Sequence, residues 1–143
     1  MKTNNRKNNP VINKVPNYVN EAETFHLLYA QEVDWQYVNT VKTYSEFNDQ
    51  RLSEYLNLNV KTFREYKKPN SVLNANLKEH VVMLLSVFKH GELVFGSMRL
   101  FEQWLQTGNF YFNGQAPEKY LNTITGIKLV NDRLTAMAYG DNV

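Results

Sequence analysis

No cysteine occurs in the 143-residue chain. That absence removes disulfide staples, thiolate zinc sites and thiol nucleophiles together. Long apolar runs are missing as well: nowhere do about 18 consecutive apolar residues occur, the length a membrane-spanning helix needs. No apolar stretch of signal-peptide length follows the basic residues Lys2, Arg6 and Lys7. The expectation is a cytoplasmic protein that does not enter a membrane. Histidine is scarce, and His26, His80 and His90 fall on separate segments, with Lys78-Glu79-His80 reading as a solvated helix face. There is no HExxH, no phosphate-binding P-loop and no GxGxxG. The chain is therefore expected to be no enzyme, with no catalytic residues, no metal ligands and no cofactor.

Charge of one sign is also lacking outside the N-terminus. The net charge is +2, yet Lys2, Arg6, Lys7 and Lys14 stand among the first 20 residues with no acid, so the remainder is slightly acidic. Nucleic-acid binding, if it occurs, must come from local patches. What the chain does have is 43% apolar and 13% aromatic residues, enough to build one compact domain or two small helical subdomains. The fold class expected is all-α, with domains at 1–20, 21–90 and 91–143.

Residues 1–20 are rich in Asn and Lys, contain Pro10 and Pro16, and show no periodicity, which reads as a mobile basic arm. From Ala22 to Val41 the residues Phe25, Leu28, Tyr29, Val33, Tyr37, Val38 and Val41 recur at helical spacing, with a break near Gln31 to Asp34. Between Glu46 and Lys68 the spacing is that of a helix-turn-helix. Asn48 caps a first helix with Leu52, Tyr55 and Leu56 inward. Asn57 takes the left-handed corner, Leu58 plugs the turn, and Asn59 caps a second helix with Val60 and Phe63 inward. Lys61, Thr62, Arg64, Glu65, Lys67 and Lys68 then face outward as the candidate DNA-binding set, with Pro69 closing the helix.

A longer core helix is expected from Ser71 to His90, ending or breaking at Gly91. All six glycines lie between Gly91 and Gly140, and they punctuate a series of short helices. Ser97 opens one that carries Leu100, Phe101, Trp104 and Leu105. Asn113-Gly114 turns an aromatic loop, and Pro117 begins a short helix ending near Leu121. Thr125 and Gly126 precede a last helix with Ile127, Val130, Leu134 and Met137 inward, which Gly140 ends. Two copies are expected, because a helix-turn-helix reads paired half-sites; the Ser71 to His90 helix and part of Ala22 to Val41 are the interface first considered.

The order Phe95-Gly96, Trp104-Leu105, Asn113-Gly114, Pro117, Leu121, Thr123, Gly126, Val130, Leu134, Tyr139-Gly140 resembles the C-terminal toxin-binding domain of the Xre/MbcA/ParS antitoxins. Such antitoxins also carry an Xre-like helix-turn-helix upstream. The loop Phe110 to Phe112 is more aromatic than that pattern, and Ala116 stands where a capping Thr or Ser often precedes the proline. The resemblance implies an antitoxin of a type II toxin-antitoxin system. It would neutralise a RES-domain, NAD-depleting toxin by covering its active site, and regulate its own operon through operator DNA. The toxin-binding residues it implies are Trp104 and the tail Tyr139, Gly140, Asp141, Asn142 and Val143. The alternative is a helix-turn-helix regulator with no toxin.

Overall fold

Short polar side chains decide where the helices of this protein begin. In the computed structural model, which describes Arg6 and residues 8–140, nearly every helix starts where an Asn, Asp, Ser or Thr side chain accepts a hydrogen bond from the first turn. Asn9 caps α1 (Pro10–Lys14), Asn20 caps α2 (Glu21–Tyr29), Asp34 caps α3 (Trp35–Ser45) and Asn48 caps α4 (Asp49–Tyr55). Asn59 caps α5 (Val60–Tyr66) and Asn74 caps α6 (Ala75–Phe95). Ser97 caps α7 (Met98–Leu105). Two 3₁₀ turns follow, Phe110–Phe112 and Pro117–Tyr120, and Thr123 caps α8 (Ile124–Ala138). The described residues contain no strand, and the fold is all-α.

Helix α6 is the axis of the core. Val81, Val82, Met83, Leu84, Leu85, Ser86, Val87 and Phe88 are all buried, so it is apolar around its whole circumference and must be enclosed. Helices α2, α3, α7 and α8 enclose it. The middle of α6 is spent on packing within the chain and offers no face to a second copy, which bears on the α6 part of the expected interface and not on its Ala22 to Val41 part. It also begins later than the sequence suggests, at Ala75, and does not stop at Gly91. The terminator is Gly96, at φ +82, whose left-handed backbone closes the helix. Gly91 has a packing reason instead, since a Cβ there would meet the Phe101 ring at 2.3 Å.

Other departures follow the same logic. Thr123, three residues ahead of Gly126, caps the last helix through the Gly126 N–H at 2.9 Å. Phe25 and Tyr29 stack on each other outside the core, at 6.0 Å between centroids, although their spacing placed them inward. The N-terminal segment is corrected where it is described. Val11, Ile12 and Val15 are buried, and Lys89 on α6 donates to the carbonyls of Ile12 and Val15 at 2.6 Å each, so this stretch is a docked strap, not a mobile arm. Arg6 continues the attachment through an ion pair with Glu92 and a 2.9 Å bond to the Tyr44 carbonyl. No single helix among the described residues is long and apolar enough to cross a membrane.

Candidate functional site

Helices α4 and α5 meet through the corner that the sequence anticipates. Asn57 adopts φ +59, Leu58 packs partly against the core, and the Asn48 and Asn59 side chains accept from Arg51 N and Thr62 N at 2.9 and 2.8 Å. Leu52, Ser53 and Phe63 are fully buried, and the buried Ser53 hydroxyl donates to Gln50 O at 2.8 Å. The outer face of α5 presents Lys61, Arg64, Glu65 and Lys68 to solvent, while Thr62 and Lys67 are half-buried.

The cations on that face are not equivalent. Lys68 is paired with Glu65 at 2.9 Å, and Lys67 lies over the Phe63 ring at 5.0 Å. Arg64 donates to Asp49 at 2.9 Å, and Lys67 and Lys42 reach the same carboxylate at 3.7 and 3.2 Å. The Arg64 hydrogen bond, opposed by burial and aided by a hydrogen bond from Lys42 and the charge of Lys67, holds the Asp49 carboxyl below its ordinary pKa. Lys42 and Asp49 were not anticipated. Asp49 was legible only as an acid in a first helical turn, and Lys42 belongs to the preceding helix.

A second polar cluster joins this unit to the C-terminal segment. Arg51 on α4 lies over the Phe47 ring at 4.4 Å, forms an ion pair with Glu102 on α7 and donates to the Tyr55 hydroxyl at 2.9 Å. Tyr55 in turn donates to Glu118 at 2.5 Å. Burial and the Glu118 carboxylate push the Tyr55 phenol well above its usual range. Asn57 adds a 2.7 Å bond to the Asn122 carbonyl.

In the C-terminal segment the aromatic residues divide into an inner and an outer set. Phe95, Phe101, Trp104, Phe112 and Tyr120 form a continuous series with centroids 4.9 to 6.2 Å apart. Trp104 is only 6% exposed, so it shapes the surface from beneath. The outer set is Phe110 and Tyr139, each 88% exposed, and Tyr111, whose ring covers the Arg133 guanidinium at 3.4 Å. The loop that presents Phe110 is rigid: Gly114 N and Phe112 N both donate to Asn109 O, and Asn113 sits at φ +55. Ala116 makes no capping bond to the following 3₁₀ turn, as its side chain requires.

Residues 90–140 match the family model of the antitoxin Xre/MbcA/ParS C-terminal toxin-binding domain. This segment belongs to that antitoxin family. No curated protein matches the chain. A toxin-binding domain implies a cognate toxin as partner. Tyr139 and Gly140 close its last helix at the surface, and Asp141, Asn142 and Val143 lie outside the described residues. Within the toxin-binding domain and the helices before it, no three His, Asp or Glu side chains among the described residues gather as a metal site. His80 and His90 are buried structural groups, which corrects the solvated reading of His80: its Nε2 donates to Leu121 O at 2.9 Å, and His90 Nδ1 donates to Asn131 Oδ1 at 2.6 Å.

Proposed function

We propose that this antitoxin neutralises a RES-type, NAD-depleting toxin by occlusion. The observation that carries the reading is the rim of the toxin-binding domain. A rigid aromatic loop and the end of α8 expose Phe110 and Tyr139 almost completely, and large aromatic side chains on pre-organised backbone are what strong protein contacts are built from. The chain continues from Gly140 into Asp141, Asn142 and Val143, the residues this reading assigns to the toxin's cleft. The Asp141 carboxylate suits cations that hold the phosphates of NAD. The RES identity of the toxin rests on the resemblance of the sequence.

The same reading gives α4 and α5 the second half of the role, binding to operator DNA as a pair of copies, with autoregulation of the operon as its result. Growth of cells expressing a RES-type toxin from the adjoining reading frame tests the occlusion. The intact chain restores growth. Removal of residues 140–143 weakens binding by about 2 kcal/mol or more, roughly thirtyfold in Kd, and growth is lost. Undiminished neutralisation by the shortened chain removes the tail from the mechanism.

A further inference from the structure

Three cations from two helices converge on one carboxylate at the edge of the helix-turn-helix. Lys42 comes from α3, Arg64 from α5 and Lys67 from the C-cap of α5, and Asp49 is the first residue of α4. Neutralising the Asp49 carboxylate, which is 16% exposed at its side chain, takes one cation, and three are present. Two positive charges are left in excess at that point. Arg64, 58% exposed at its side chain, is oriented by its Nε alone. Among the described residues its two Nη groups make no hydrogen bond, which leaves their donors open to solvent or to a further acceptor. Elsewhere on the face the balance differs: Lys68 has Glu65 to itself.

We propose that Lys42, Arg64 and Lys67 form a subsite for one backbone phosphate of duplex DNA, and that Asp49 attenuates it. The proposal rests on the reading of α4 and α5 as a DNA-docking pair, and adds to it a residue from outside α5 and one that opposes binding. Asp49 serves two ends at once. It holds the three cations together in the absence of DNA, and it repels the phosphate that they attract. Close to the contact the repulsion outweighs the ordering, because two of the three cations are also held by other means, whereas Arg64 is oriented by Asp49: Lys42 donates to the Phe47 carbonyl at 2.8 Å, and Lys67 rests on the Phe63 ring. The chain is thereby set to bind duplex DNA less tightly than its cations alone would allow. Non-specific retention on DNA, which scales with available positive charge, is what such an acid suppresses.

The test uses the full chain and a fluorescent duplex of random sequence and about 20 base pairs, with affinity followed against salt from about 50 to 200 mM. Asp49→Asn tightens binding several-fold at the lowest salt and steepens the slope of log K against log salt by about one. Lys42→Met weakens binding and flattens the slope by about one. Glu23→Gln makes the same charge change on α2, away from this face, and leaves both unchanged. Asp49→Ser serves where circular dichroism shows Asp49→Asn to be unfolded. An intact chain that binds, with Asp49 variants that bind equally or more weakly, overturns the attenuation while the DNA reading stands. No binding by the intact chain or any variant at the lowest salt brings down both.

Discussion

Gly126 illustrates how much a single missing side chain can decide. A Cβ there would lie 1.8 Å from the Tyr120 carbonyl oxygen, a backbone atom that cannot step aside. At Gly91 the obstacle is the Phe101 ring at 2.3 Å, a side chain, although one fully buried. Gly91→Ala therefore costs about 1–3 kcal/mol in urea unfolding, less the part regained from helix propensity, and Gly126→Ala costs more than Gly91→Ala. Equal midpoints for the two variants contradict this ranking. Neither packing role is visible in sequence, where a glycine reads equally well as a stop signal. The asparagines were legible, because capping by Asn48 and Asn59 and the left-handed corner at Asn57 depend on neighbours two or three residues away. Asp49 and Arg51 were not, because their partners lie on other helices.

Among the elements, α6 carries the clearest pH dependence. Burial lowers the pKa of both His80 and His90 below the ordinary 6.5, opposed in part by their hydrogen bonds to Leu121 and Asn131. The unfolded chain then binds more protons than the folded one in the window below pH 6.5. Stability is full above that window and falls as pH drops through it toward the folded pKa values. Thermal unfolding between about pH 5 and 7.5 is expected to show Tm falling on the acid side, with a shallower fall in His80→Gln and His90→Gln. A flat profile, or one rising toward acid, excludes the histidines as its source. The periodicity of α6 was legible in the run VVMLLSVF, while its ends were not. Its start was read at Ser71, although Asn74 is the residue whose side chain caps it. At Gly91 tertiary packing on Phe101 overrides the local tendency to stop.

At the scale of the molecule, the α4–α5 pair and the toxin-binding domain share one interior. Phe88 on α6 contacts Phe47, Tyr55 and Phe101 at 5.4 to 6.5 Å, and Arg51 ties α4 to Glu102 and Glu118. Arg51→Ala leaves two half-buried carboxylates without that cation and is expected to cost about 1–3 kcal/mol. Hydrogen exchange is expected to quicken in α4 and in the Pro117–Tyr120 turn together; quickening confined to α4 argues against the link. The division expected near residue 90 falls inside α6, a continuous helix from Ala75 to Phe95, and the antitoxin match begins at the same place. A fragment cut there would inherit the last quarter of a helix with its buried stretch gone, together with α8 stripped of the partner it was shaped against. Anyone dissecting this chain should expect that piece to aggregate, and should place the knife before Asn74.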